Sequence, residues 1–177
     1  MGLFNYQQAM ELYKDDRFMI EIIDSLEKVD QYHLLRSRNC VDSKNLEYLF
    51  PLIKNDYKKW ISLCDGGLLF STTLLSITEY DEELALSFTT IQEINTDENL
   101  KCFGLPKGYL VIALLNYGDL VCLSEKDSKV YLWDNIEKTF SVVWDTFSDF
   151  LADEYNTAVQ MIEDDALEAI PLKILEE

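Results

Sequence analysis

The chain's single histidine, His33, stands in a basic stretch with Arg36 and Arg38. Imidazole titrates near neutral pH, so a histidine there could serve as a general base or a ligand. Either role needs companions. A Ser-His-Asp or Cys-His centre would have to use this one ring, and no supporting motif surrounds it. His33 therefore reads as a surface or partly buried histidine. The cysteines, Cys40, Cys64, Cys102 and Cys122, are far apart and form no CxxC pair. They lack zinc-ligand spacing and do not read as a disulfide framework. Cys64 and Cys122 lie in apolar runs, where a free thiol behaves as a small hydrophobe. The sequence has no GxxxxGK[ST] or GxGxxG loop, no GxSxG elbow, no HExxH and no calcium loop. Carboxylate pairs suited to glycoside hydrolysis occur everywhere, but 33 Asp+Glu in 177 residues produce such pairs by chance. An acid hydrolase stays open only as a distant third reading. The expectation is a protein without catalysis, metal or cofactor.

Charge says more than any motif. The chain holds 15 Lys+Arg against 33 Asp+Glu, a formal net charge of −18. Such a surface repels phosphate backbones and anionic membranes, which argues against nucleic-acid and membrane partners. It favours basic proteins and fast, salt-sensitive encounter with them. Solubility alone is the plainer explanation. Residues 1–59 contain 9 basic and 10 acidic residues, which leaves 6 basic and 23 acidic residues, net −17, for 60–177. An acidic partner surface would belong to that second part. The start, MGLFNYQQAM, lacks a basic region followed by an apolar one, and Tyr6 stands where myristoylation wants Ser or Thr. No apolar stretch is long enough for a membrane span, so the expected compartment is the cytoplasm.

The elements that must position these residues centre on Tyr109–Trp133. Apolar runs Leu110–Leu115, Leu120–Leu123 and Val130–Trp133 alternate with polar turns, and Gly118 sits where a hairpin needs positive φ. This predicts an antiparallel meander with helices on at least one face. Thr139–Trp144 reads as its fourth strand. Asp145 or Thr146 then caps a long helix whose buried stripe is Phe147, Phe150, Leu151, Tyr155, Ala158 and Met161/Ile162. The carboxylates at 163–165 favour a break there.

Upstream, Phe18, Met19, Ile22, Ile23, Leu26 and Val29 recur at helical spacing, and residues 1–30 read as helical. Residues 32–41 are ambiguous. Asp42 or Ser43 can cap a short helix ended by Pro51. Tyr57, Trp60, Ile61 and Cys64 fall on one helical face, and Gly66-Gly67 stand where that helix would stop. Leu68–Thr78 reads as one strand, or two broken near Thr72. Residues 84–100 read as a weak helix or irregular connection. Helices, then mainly strands, then a helix make a single α+β domain over 1–177. It would have a largely antiparallel or mixed sheet, with helices packed on it and at both ends.

Three stretches carry a family resemblance. They are Tyr57–Phe70 (YKKWISLCDGGLLF), Leu110–Ala113 followed by YGDLVCL and KVYLW, and Thr146–Leu151 (TFSDFL). In this order they resemble the SUKH superfamily, which includes the yeast cell-wall assembly regulator and many bacterial immunity proteins. The likeness runs from about 45 to 152. It leaves an N-terminal helical extension (1–40) and a C-terminal helix and tail (153–177) outside. Phe50-Pro51 comes earlier than the family's Leu-Pro pair.

The resemblance implies a non-enzymatic binding protein, and for short bacterial members an immunity protein. Such a protein neutralises the toxin domain of a polymorphic toxin, often a nuclease, by stoichiometric occlusion. Carboxylates would steer a basic toxin domain in, and an aromatic-rich patch would supply affinity. A scaffold or regulatory interaction module is the alternative, and monomer or dimer is left open. The family-motif residues Trp60, Gly66, Gly67, Gly118, Asp119, Trp133 and Phe147 read as mainly structural. The expected partner-binding residues are Glu79, Tyr80, Asp81, Glu82 and Glu83, then Asp97 and Glu98, then Asp134 and Glu137. Reversing Glu79, Asp81, Glu82 and Glu83 to Lys is expected to slow association with the basic partner. Stopped-flow kinetics that leave the on-rate unchanged would remove this cluster from the interface.

Overall fold

The computed structural model describes residues 4–29, 33–37, 55–77, 80–81, 86–87, 89–115, 117–127 and 129–163. The helix expected after Asp42 and the tail beyond 163 lie outside these residues. Two helices begin the described chain, α1 (Tyr6–Leu12) and α2 (Arg17–Lys28). Each starts at an acceptor side chain, Asn5 taking the Gln8 N–H and Asp16 the Met19 N–H. The α2 stripe buries Met19, Ile22, Ile23 and Leu26, whereas Phe18 stays 46% exposed at the edge of that stripe. Then come β1 (Leu34–Ser37), α3 (Asn55–Ile61), β2 (Cys64–Leu69), β3 (Thr72–Leu74), β4 (Tyr80–Asp81) and β5 (Leu86–Ser87). After these follow α4 (Ile91–Ile94), α5 (Asp97–Phe103), β6 (Tyr109–Leu115), β7 (Leu120–Ser124), β8 (Val130–Asp134), β9 (Thr139–Trp144) and α6 (Phe147–Glu163). This is a single α+β domain.

The main sheet has seven strands in the order β1-β2-β3-β6-β7-β8-β9, with every neighbouring pair antiparallel. Strands β4 and β5 form a separate pair. Residues directly opposite each other share a face, so the register defines two rows across the sheet. Leu35, Gly67, Leu74, Ala113, Val121, Leu132 and Val142 form one. Helix α6 packs on this side, where Thr72 Oγ1 donates to Glu154 at 2.5 Å and Trp144 meets Phe150 edge to face at 5.2 Å. Leu34, Leu68, Thr73, Leu114, Leu120, Trp133 and Phe140 form the opposite row. There Trp133 Nε1 donates to the Phe103 carbonyl at the end of α5. The sheet is thus a layer between helices, as near-continuous apolar strands require.

The expected meander is present, and Thr139–Trp144 is its last strand. The diglycine reading needs correction. The helix through Trp60 ends at Ile61, and Cys64 already belongs to β2. Gly66 and Gly67 lie inside that strand rather than at a helix stop. The reason is close approach between strands. A Cβ on Gly67 would stand 2.1 Å from the Leu34 carbonyl oxygen, and one on Gly66 2.8 Å from that of Leu74. Within 84–100 the described residues form β5, α4 and the start of α5. A full capping box between Thr90 and Glu93 starts α4. The ambiguous segment after residue 32 contributes β1.

Gly67 has φ 138° and the β1 backbone of Leu34 and Leu35 against its would-be Cβ, whereas Gly118, at φ 94°, has nothing within 4 Å of its would-be Cβ. Gly67→Ala is expected to cost on the order of 3 kcal/mol or more. Gly118→Ala should cost about 1–2 kcal/mol, from backbone strain alone. Urea midpoints of the two variants check the order.

Candidate partner-binding surface

The side chains of the sequence motifs are mostly built into the frame. Trp60 is buried between Phe4 (5.3 Å) and Phe147 (5.8 Å), and Phe147 also meets Tyr57 at 4.9 Å. Thr146 and Asp149 exchange hydrogen bonds before the first turn of α6. This reciprocal cap sets the entry of α6, with Phe147 turned inward. Asp119 Oδ1 accepts the Asn135 N–H at 2.9 Å, joining the β6–β7 turn to the β8–β9 turn.

The acidic residues proposed for binding divide by position. Tyr80 and Asp81 form β4, while Glu79, Glu82 and Glu83 lie outside the described residues. Asp97 and Glu98 are exposed in the first turn of α5, where carboxylates favour the helix dipole. Asp134 and Glu137 sit in the β8–β9 turn. That turn touches the other end of α5, since Lys138 Nζ donates to the Phe103 carbonyl at 2.9 Å. One helix of seven residues, about 10 Å long, therefore separates these two acidic groups. They do different work. Asp134 Oδ1 accepts the N–H groups of Ile136 and Glu137, at 2.8 and 2.7 Å, and so shapes the turn. Glu137 is exposed, and no hydrogen bond of its carboxylate is seen among the described residues.

Beside this turn lies an aromatic patch that sequence reading did not locate. Tyr109, Tyr131 and Phe140 are half-buried, with ring centroids 4.5–5.5 Å apart. Trp133 underpins them 4.8 Å from Phe140. Tyr131 donates its hydroxyl to Asp127 at 2.8 Å, and this bond, followed by burial and the carboxylate's charge, pushes the phenol up to about 12. Val143, paired with Tyr131, is 50% exposed, and Ile136 at the turn is 83% exposed. The available signal was the run TFSVVW at the end of a meander. A last strand is an edge, yet this one carries no charge.

The residues weighed in the sequence as chemical candidates sit in packed surroundings. His33 is buried, with Nε2 3.0 Å from the Leu26 carbonyl and 3.3 Å from the Tyr6 hydroxyl, and its ring meets Phe70. Arg36, expected in a basic patch, is instead buried against Asp65, and Arg38 lies outside the described residues. Burial pushes the Cys64 thiol up to about 12 and raises that of Cys122 as well, which leaves both unreactive. Among the described residues no cluster of His, Cys, Asp or Glu could hold a metal ion, and no helix is long and apolar enough to cross a membrane.

The sequence profile of the SMI1 / KNR4 family (SUKH-1) matches residues 44–153. The chain belongs to this family. The SUKH-1 match covers the sheet from β2 to β9 and ends within α6. SUKH proteins are generally non-enzymatic immunity or regulatory proteins that act through contacts with other proteins. No curated protein matches the chain in sequence.

Glu137→Lys is expected to leave stability within about 0.5 kcal/mol while slowing association with a basic partner. Asp134→Ala should lose about 1–2 kcal/mol, because two backbone N–H groups lose their acceptor. Chemical denaturation and on-rates measured on both variants separate turn-forming from steering.

Proposed function

We propose that this SUKH-1 chain is an immunity protein. It binds a cognate bacterial toxin domain, basic and nuclease-type, and neutralises it by stoichiometric occlusion in the cytoplasm. Family membership over residues 44–153 is the observation that carries the reading. The net charge of −17 on residues 60–177 supports it, since a domain that grips a phosphate backbone presents a basic surface. Exposed carboxylates such as Glu137, Asp97 and Glu98 speed and orient encounter. The aromatic patch around Tyr131 supplies contact area once the two proteins meet. No chemistry on the toxin is required.

The test is affinity capture from the source organism at low salt, followed by salt elution and mass spectrometry. One near-stoichiometric basic domain, released as salt rises, is the expected result. It should lose its toxic activity on adding one equivalent of this chain. Several sub-stoichiometric partners would favour a scaffold or regulatory module, and would leave the charge as a solubility device.

A further inference from the structure

The sheet order ends on β9, and among the described residues no strand pairs with its outer edge. At the opposite end the edge is partly covered, because Phe4 donates its N–H to the Leu35 carbonyl at 2.9 Å. Among the described residues no backbone hydrogen bond reaches the outer side of Thr139–Trp144. An unpaired edge is a template for another strand, and proteins guard it with lysine, proline, inward-pointing charge or a β-bulge. β9 reads TFSVVW and contains no charge and no proline. Its one irregularity is a bulge, where the register passes from Leu132↔Val142 to Trp133↔Phe140. That leaves Val142–Trp144 as the regular run, with Val142 37% and Val143 50% exposed on opposite faces.

We infer that β9 accepts an extended basic segment of the partner protein as a further strand of the sheet. The inference rests on the toxin-binding reading above and names the mode of contact. Backbone hydrogen bonds along β9 provide affinity, and alternate side chains set register. Charge selects the occupant. Exposed Glu137 stands near one end of β9 and exposed Asp153 near the other, while Asp134 and Asp149 are spent on the turn and the α6 cap. Of the nearby cations, Lys129 is paired with Asp145, and Lys138, held by the Phe103 carbonyl, keeps its charge beside the turn. A second copy would bring the same carboxylates together on chains that each carry −18. A strand bearing Lys or Arg meets them favourably. On one face its side chains reach Val143 and the Tyr109–Tyr131–Phe140 rings, which suit both apolar groups and cations.

The experiment titrates the isotope-labelled full-length chain with a blocked heptapeptide alternating Lys and Val. The control is the same peptide with alternate nitrogens methylated, so that it cannot pair. Amide shifts should concentrate on Phe140–Trp144, and the outward amides there should gain exchange protection. Methylation should weaken binding about tenfold or more, as should Val142→Lys combined with Val143→Lys, a change on exposed positions. Three results overturn the inference. Equal binding of the methylated peptide means charge attraction alone. Protection of β9 that grows with protein concentration means a second copy occupies the edge. Protection already complete in the free monomer means the chain covers its own edge. The basic domain recovered by capture keeps the two proposals apart. If it binds the double-lysine variant unchanged, toxin binding stands and the edge does not. If no such domain is recovered but the peptide pairs, the reverse holds.

Discussion

The buried carboxylate of Asp65 accepts the Arg36 guanidinium at 3.4 Å and the Ile77 N–H at 2.6 Å. One side chain on β2 therefore holds β1 on one flank and the chain leaving β3 on the other. Both members of the ion pair are fully buried. A pair of this kind adds little net stability over apolar packing, but removing one member strands the other charge in a low dielectric. Its value lies in register. A slip of one residue between β1 and β2 would separate Arg36 from Asp65 and turn the apolar side chains of β1 to the wrong face. Gly67 adds a steric condition, since only a residue without Cβ lets the Leu34 carbonyl come so near.

The second half of the sheet is held by different means. Where β3 ends, the Asn95 side chain takes over as a strand mimic. Its amide donates to the Val111 carbonyl and accepts the Val111 N–H, each at 2.8 Å. This satisfies backbone groups of β6 that would otherwise be unpaired and buried. It also seats the end of α4 against β6, so α5 runs on toward the β8–β9 turn, where the Phe103 carbonyl accepts from both Trp133 and Lys138. The face opposite α6 is thus buried at its centre, at Leu120 and Trp133, and more open at its two ends. The aromatic patch is one of those ends.

Exposed acids and shaping acids are distinct populations here. Asp65, Asp119, Asp134 and Asp149 spend their oxygens on backbone N–H groups, ion pairs or caps. Glu137, Asp97 and Glu98 project into solvent and add to the negative field felt by an approaching cation. A single surface can therefore steer a partner through its periphery and hold it through an apolar centre, the usual division at protein interfaces.

The four-strand meander, the Thr146 cap and the stripe of α6 were readable from the chain, because each depends on neighbours a few residues away. So was the concentration of negative charge beyond residue 60. The family, too, was visible in the order of short motifs. Other features depended on partners distant in sequence. The diglycine looks like a helix stop locally, and only the closeness of β1 and β3 explains it. Arg36 looks like surface charge until Asp65, 29 residues on, is placed beside it. Tyr109, Tyr131 and Phe140 become one patch only when register brings β6, β8 and β9 together. β9 becomes the last strand only because the order of the described strands ends there. Local periodicity and capping operate over a turn or two of chain, whereas strand order, face and edge are set by which distant segments bury one another.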